Sequence, residues 1–469
     1  MGRRSLALES QQLSKNTERL GTDPLFKLLF RLSLPSVISM IAVSLYNLVN
    51  TFWVARLGFQ AVAAITSVMP LFIFCVAIGV GTGVGVNALA SRQFGERDVD
   101  GANRVAGQTA FLSVSLGLAV LLVTNLFPRQ ILLLTGATPD VMDLGAAYLK
   151  VFGWGMPFFF FSIMMRNVFQ ASGDAIRPMV FSVTAQVINA GLDPLFIFGI
   201  GFFPRMGIAG AALGSVIASS VSASLAIWYG LSRRSAYSIR FRHIMPHPAT
   251  ILGIYRVGLP SAMMDMSESV VFALFNHVLA GFGSMALAAV GIAGRISDLA
   301  FMPIIGTAHG LLPIVGFSLG ARLWPRLWGA VRQAAFGLML VMAVATLFLE
   351  VFTSQLIGLF TKDSELIAIA VPGMRIFLST LILVGPTVVF ITTFQGLSKA
   401  KNAFLLSLAR QTLVFVPALF ILPHFLGLTG AWIALPLSDI TAVTLSGLWM
   451  VREYRVQKRN PAWALPQAG

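Results

Sequence analysis

Acidic side chains recur inside stretches of the sequence that are otherwise apolar. They are Asp193, Asp265, Glu268, Asp298 and Asp439. If these stretches cross a membrane, an ionised group at the bilayer centre costs at least about 2.5 to 3.5 kcal/mol, so a carboxylate there needs a partner or a task. Reversible binding of a proton or a cation is the chemistry that such a group can perform. Each of the five is therefore a candidate functional residue.

Asp193 is the acid with the most suggestive neighbours. Asn189 lies one helical turn earlier on the same face, and Pro194 removes a backbone hydrogen bond beside the carboxylate. We expect Asp193 to bind a proton or a cation. The alternative is that Asp193 stays protonated and accepts hydrogen bonds from neighbouring helices.

The acids of the second half leave more than one role open. Glu268 and Asp265 lie one turn apart, so they share a helix face and titrate as a coupled pair if both are buried. For these two, function and structure both remain open. Asp298 has Arg295 one turn away, which predicts a neutralising ion pair and a structural role. Asp439 has no partner nearby in the sequence, so its role stays undecided.

Other kinds of chemistry find no support in the sequence. Cys75 is the only cysteine, and His309 stands apart from other ligand types, so we expect no disulfide, no metal site and no cofactor. The sequence lacks a GxxxxGK(S/T) phosphate loop, and its short loops carry no cluster of His, Asp and Glu. We therefore expect neither an enzyme nor direct use of ATP. A gradient of H⁺ or Na⁺ is the remaining energy source.

The elements that must position these residues are transmembrane helices. The chain of 469 residues is 57% hydrophobic and only 11% charged, which predicts an all-α integral membrane protein. About twelve apolar stretches have the roughly 20 residues that a membrane-crossing helix needs. They fall near 30–54, 61–86, 105–127, 145–168, 178–203, 208–230, 252–280, 286–315, 331–352, 367–394, 403–424 and 428–450.

The basic residues predict the orientation of these spans. The formal net charge is +15, and the arginines and lysines collect in loops on the side that also takes both termini. Since such loops stay in the cytoplasm, we expect both termini there, in a multi-pass protein of the inner (plasma) membrane. The first 28 residues are basic without an apolar core, so we expect a cytoplasmic tail and no cleaved signal peptide. Basic residues spread over short loops argue against nucleic-acid binding.

An internal repeat relates the two halves of the chain. A shift of 225 residues pairs Arg31, Leu34, Pro35 and Ser36 with Arg256, Leu259, Pro260 and Ser261, and Gln170 with Gln395. Because each half has an even number of spans, the halves form parallel repeats about a pseudo-two-fold axis along the membrane normal. We therefore expect two six-helix lobes around a central cleft, an architecture typical of a carrier that alternates access.

The duplication predicts five segments. They are a cytoplasmic tail over 1–28, an N-terminal lobe over 29–230, a basic cytoplasmic linker over 231–251, a C-terminal lobe over 252–451 and a cytoplasmic tail over 452–469. Within the lobes, the small residues of 79–85 and 207–212 predict close helix packing. Pro35 in the first span is expected to act as a mechanical kink.

Three motifs of the sequence carry a family resemblance: the segment YNLVNTFWVARLG over 46–58, the run 189–199, and Gln395-Gly396-Leu397. They resemble the multidrug and toxic compound extrusion (MATE) family of the MOP flippase superfamily. The resemblance extends over roughly residues 25–450. It implies two six-helix lobes in a V-shaped arrangement, and export of cationic or amphipathic compounds in exchange for H⁺ or Na⁺.

The resemblance also implies an ion-coupling site in the N-terminal lobe. The matching positions are Asn50, Tyr148, Asn189 and Asp193, with Ser215 as a weaker match. Asn50 stands where the family pattern has an aspartate, so one titratable group of the pair is absent.

In the second half, Glu268 follows Pro260 by eight residues and resembles the glutamate of the family's seventh helix. The tenth span lacks the acid that Na⁺-coupled members often carry, so H⁺ is the expected coupling ion. Asp265, Gln170 and Gln395 are expected to line the substrate cleft.

The expected function is therefore secondary antiport of small cationic or amphipathic molecules by a protein that acts as a monomer in the bilayer. A lipid-linked precursor flippase would share the fold, but its cavity should carry basic residues for a pyrophosphate. A membrane protein that transports nothing is the second alternative.

Overall fold

The computed structural model describes residues 14–201 and 203–459, and within them the chain is helical throughout its regular structure, without β-strands. The predicted tails lie partly outside the described residues. The helices of the first half are α1 (Lys15–Thr22), α2 (Leu25–Ala55), α3 (Phe59–Gly95), α4 (Val99–Leu126), α5 (Pro128–Leu134), α6 (Met142–Ala171), α7 (Ile176–Phe198) and α8 (Ile208–Leu231). A short helix, α9 (Phe241–Ile244), lies in the predicted linker. The helices of the second half are α10 (Pro248–Ala280), α11 (Ser284–Gly320), α12 (Trp324–Gly358), α13 (Ser364–Leu378), α14 (Leu381–Gly396), α15 (Ala400–Leu408) and α16 (Val416–Lys458), with a π-helical turn over Ala409–Phe415 between the last two.

All twelve predicted spans correspond to helices. Among the described residues, nine helical segments are long and apolar enough to cross a membrane, and α13 with α14, bent by 45°, makes a tenth. That count takes Ala400–Lys458 as one segment. Its backbone leaves helical geometry at Gly427, where φ is 58°, so it contains the last two predicted spans. The remaining predicted span is α10, which carries Arg256, Asp265 and Glu268 along its 33 residues. The all-α fold with twelve membrane helices is thus confirmed.

The described chain forms two compact units whose borders differ from the predicted starts of the lobes at 29 and 252. Unit 1 contains Pro35–Ala262 with residues 14–20, and unit 2 contains Gly21–Leu34 with the chain from Met263 onward. Each unit therefore includes the first part of the other half's first long helix. Helix α2 passes from unit 2 into unit 1 at Pro35, and α10 passes from unit 1 into unit 2 just after Pro260, its partner in the repeat.

These exchanged segments pack against glycines that occupy equivalent positions in the two repeats. In unit 1, a Cβ added at Gly85 of α3 would lie 2.9 Å from the backbone nitrogen of Gly258 in α10. In unit 2, a Cβ added at Gly310 of α11 would lie 2.9 Å from the backbone nitrogen of Ser33 in α2. The shift of 225 residues relates Gly85 to Gly310 and Ser33 to Gly258, so the two contacts are equivalent. The small residues thus pack helices closely, as predicted.

The predicted linker is fastened to unit 1. The amide of Gln108 in α4 donates to the carbonyl oxygens of His243, at 2.7 Å, and Met245, at 2.6 Å. Its oxygen accepts the backbone N–H of His247 at 2.9 Å. One buried side chain therefore holds the end of the short helix α9 and the turn that leads into α10.

The exchanged packing predicts a large effect of a small substitution at Gly85. Gly85→Ala places a methyl group against the backbone of α10, which must move, so we expect a loss of about 1–3 kcal/mol of stability. The matched control is Gly337→Ala in α12, where a Cβ meets nothing within 4 Å. Thermal aggregation of the detergent-purified variants measures the difference. Equal midpoints for Gly85→Ala and Gly337→Ala would contradict the close packing.

Candidate functional site

Asp193 lies inside unit 1 near the end of α7. Its side chain is fully buried (0% exposed), and Asn189, one turn earlier, is 4% exposed. Helix α7 ends five residues later at Phe198, and the left-handed conformation of the next residue, Gly199 (φ 71°), stops the helix. The predicted pair of polar side chains on one face of α7 is therefore present and directed into the helix bundle of unit 1.

A hydrogen-bond network links this pair to α2 and α8. The Asn50 amide of α2 donates to Oδ2 of Asp193 at 2.7 Å. The Asn189 amide donates to Oγ of Ser215 in α8 at 3.2 Å, and the same Oγ lies 3.2 Å from the Tyr46 hydroxyl. Tyr46 also interacts with the Asp193 carboxyl. Four of the predicted residues, Asn50, Asn189, Asp193 and Ser215, thus form one site.

Gly214 in α8 permits the close approach of α7. A Cβ added there would lie 2.7 Å from Oδ1 of Asp193 and 3.1 Å from Oδ1 of Asn189. Both of these oxygens are buried and have no hydrogen-bond partner among the described residues. Two acceptor oxygens therefore face the same small residue, and a proton or a small cation would satisfy both.

Tyr148 lies beside this network, and no hydrogen bond joins it to the described residues of the network. Its ring stacks on Phe152 at 6.1 Å between ring centroids and packs in the apolar cores that contain Leu149 and Ile197. It is close enough for an electrostatic interaction with Asp193. The hydroxyl that contacts Ser215 comes from Tyr46 instead, which the sequence reasoning missed. Its position one turn before Asn50 was the available signal, because the two side chains share a face of α2.

Gln170 and Pro35 lie at the other end of unit 1. Gln170, near the end of α6, is 3% exposed and donates to Oγ of Ser36 at 3.2 Å, directly after Pro35. Asp193 lies about 25 Å along α7 from the turn between α6 and α7, at 1.5 Å per residue. Gln170 therefore holds α2 at its passage between the units and is not part of the Asp193 network. The Ser39 hydroxyl donates to the Pro35 carbonyl at 2.9 Å, so it satisfies an oxygen beside the proline.

The acids of unit 2 occupy different surroundings. Asp265 is partly buried and Glu268 is exposed, and the two interact electrostatically, as their shared face predicts. The predicted ion pair of Asp298 with Arg295 is wrong, because no salt bridge joins these two described residues. Both side chains are exposed on the surface of α11, where neither is forced to pair. Gln395 lies at the end of α14, one residue before Gly396.

Asp439 has partners that the sequence did not indicate. Its side chain lies on α16, is 5% exposed, and accepts from Arg410 at 2.9 Å and from the Thr380 hydroxyl at 3.1 Å. Arg410 belongs to the π-helical turn between α15 and α16, a geometry often found at functional positions. The acid left undecided above is thus part of a buried ion pair inside unit 2.

Two repeats of six helices with an acid–amide network inside one of them are typical of a secondary membrane transporter. The chain belongs to the MATE family: the family model MatE matches residues 35–195 and 260–421, one stretch in each half.

Known relatives cover nearly the whole chain. The multidrug export protein MepA of Staphylococcus aureus (strain MSSA476) is 25% identical over 408 residues, which are 87% of this chain and 89% of that protein. MepA of Staphylococcus saprophyticus is 26% identical and covers 89% and 92% of the two chains.

Solved structures agree with the fold. The outward-facing conformation of a multidrug resistance MATE family transporter matches with a TM-score of 0.90 and 27% identity over 96% of this chain and all of that chain. A MOP superfamily transporter from Pyrococcus furiosus, described as having a binding pocket of reverse polarity, matches with a TM-score of 0.88 and 27% identity.

The ion pair of Asp439 makes a prediction about stability. Arg410→Gln leaves a buried carboxylate without its cation, so we expect a loss of about 3–5 kcal/mol. Adding Asp439→Asn to the same chain removes the unpaired charge, so we expect most of the lost stability to be recovered. Thermal denaturation of the two variants measures this. An equal loss in the single and double variants would contradict a charge pair.

Proposed function

We propose that the protein exports cationic or amphipathic small molecules in exchange for H⁺, and that Asp193 is the group that binds the proton. Membership of the MATE family and similarity to MepA, a multidrug export protein, support the transport activity. The observation that carries the assignment of Asp193 is its complete burial within a network that contains no second carboxylate among the described residues.

The network supplies partners for both protonation states of Asp193. An ionised carboxylate is stabilised by the Asn50 amide, which donates to it, and by the nearby Tyr46 hydroxyl. A protonated carboxyl needs an acceptor, and the Asn189 oxygen at Gly214 is buried and unused. A proton on Oδ1 of Asp193 is therefore able to bond Oδ1 of Asn189, which gives partners to two buried oxygens that lack them when the carboxylate is ionised.

Replacement of the family's aspartate by Asn50 gives this site one titratable carboxyl. Asn50 donates to Asp193, whereas an aspartate there would have to share a proton with it. We infer that this network carries one H⁺ per transport cycle. We further propose that the protein works as a monomer, with both termini in the cytoplasm, in the inner membrane.

The transport assay follows efflux of a fluorescent organic cation from liposomes under a pH gradient or a Na⁺ gradient, imposed separately. We expect flux driven by the pH gradient, and a loss of at least about tenfold in Asp193→Asn, because the proton-binding group is gone. The control is Asp143→Asn, an acid whose side chain is 87% exposed in a surface salt bridge with Arg129.

The other outcomes of this assay decide between alternatives. Flux driven by Na⁺ that survives Asp193→Asn would contradict the proposed site and favour Glu268. No flux under either gradient would favour a lipid-linked precursor flippase or a protein that does not transport.

The role of Asn50 gives a separate prediction. Asn50→Ala removes the donor at 2.7 Å from the Asp193 carboxylate, so the ionised form loses about 1.5–3 kcal/mol of stabilisation. We expect the rate of H⁺-driven efflux to fall by about tenfold or more. Thr51→Ala is the control, since that exposed hydroxyl donates only to the Asn47 carbonyl of its own helix, at 2.8 Å. Unchanged efflux in Asn50→Ala would show that the bond does not matter for coupling.

A further inference from the structure

A basic cavity lies at the end of unit 1 where the described chain begins. It has a volume of about 290 Å³ and is enclosed by the start of α1, the turn between α6 and α7, and the end of α8. Lys15, Arg177 and Arg234 line it, together with Ser14, Ser172 and Tyr229. This cavity lies at the opposite end of α7 from Asp193, and the transport mechanism does not use it.

The walls of the cavity are fixed by hydrogen bonds. The Thr17 hydroxyl of α1 donates to the Ser172 carbonyl at 3.1 Å, which attaches α1 to the α6–α7 turn. Arg177 donates to Asp174 and to the Tyr229 hydroxyl, and its guanidinium lies 4.6 Å from the centre of the Tyr229 ring. Asp174 and Tyr229 are 5% and 4% exposed. Arg177 is therefore held in place before any ligand arrives.

The charge of the cavity favours an anion. Asp174 balances Arg177, whereas Lys15 and Arg234 are exposed and form no salt bridge within the part of the chain that the structure describes. These two cationic side chains lie beside a fixed guanidinium and hydroxyl groups. Such a site suits phosphate oxygens.

The residues beside the cavity indicate what kind of molecule carries the phosphate. Ile176 precedes Arg177 and is 46% exposed, while Trp228 and Leu231 flank Tyr229 and are 68% and 76% exposed. In a membrane protein, large exposed apolar side chains at helix ends face acyl chains, and tryptophan prefers the interface. A ligand with a phosphate in the cavity and acyl chains beside it satisfies both surfaces.

We propose that this cavity binds the phosphodiester group of an anionic phospholipid, with Lys15, Arg177 and Arg234 as its cationic partners. The bound lipid joins α1 to α8 and the start of the linker, and so holds the segment that leads into α2. The site is independent of the Asp193 network, and its test does not depend on transport.

The test measures binding of short-chain phosphatidylglycerol to the full-length protein in detergent, by native mass spectrometry and by thermal stabilisation. Lys15→Gln/Arg234→Gln removes the two exposed cations and leaves the salt bridge between Arg177 and the buried Asp174 intact. The matched control, Lys27→Gln/Arg233→Gln, removes the same charge from exposed residues that do not line the cavity. Short-chain phosphatidylcholine and inorganic phosphate serve as comparison ligands.

We expect phosphatidylglycerol to bind the native chain and the control alike, and the cavity variant at least about tenfold more weakly. Phosphatidylcholine should bind the native chain more weakly, and inorganic phosphate should not compete at equal concentration. Three results would overturn the proposal. The first is an equal loss of lipid binding in both double variants, which would indicate an effect of net charge alone. The second is unchanged lipid binding in the cavity variant. The third is inorganic phosphate that binds as tightly as the lipid, which would indicate a site for a soluble anion.

Discussion

A carboxylate in an apolar interior needs hydrogen-bond donors, and the bond from Asn50 to Asp193 meets this requirement. The bond joins the second part of α2 to α7, and Ser215 extends the connection to α8. Helix α2 begins in unit 2 and ends at this site, with Pro35 at the passage between the units. The bond to Asp193 and the exchanged segment 25–34 therefore lie on one continuous helix. Gln170 holds that helix directly after the proline.

Duplication supplies the scaffold, but the two halves use it differently. The repeat shift places Phe275 at the position equivalent to Asn50. In unit 2, Phe275 packs against Phe415 and Trp432, at 5.7 Å and 6.3 Å between ring centroids. An aromatic cluster thus stands at the position where unit 1 has its polar network. Unit 2 has a buried ion pair at a different place, between Arg410 and Asp439. Related helix frameworks therefore carry an acid–amide network in one half and a buried charge pair in the other.

The amino-acid sequence was sufficient for the helices and for part of the site. The length of the apolar stretches predicted the spans. The separation of one helical turn predicted that Asn189 and Asp193 share a face of α7. The contributions of Asn50 and Ser215 came from family resemblance. Contacts between distant helices were not predictable, because no periodicity reports which helix packs on which. Tyr46 meets Ser215 across 169 residues, and Arg410 reaches Asp439 from a different helix. For the same reason, the 225-residue repeat revealed the duplication but not the exchange of first-helix segments at Pro35 and Pro260.

The central claim is that Asp193 exchanges a proton when substrate binds. Infrared difference spectroscopy of the purified protein tests it directly, because a protonated carboxyl has a C=O band that disappears on ionisation. At constant pH, addition of an organic cation should remove one such band in the native protein, and that change should be absent in Asp193→Asn. The same band change in Asp193→Asn would contradict the account, since the proton would then reside on another carboxyl group.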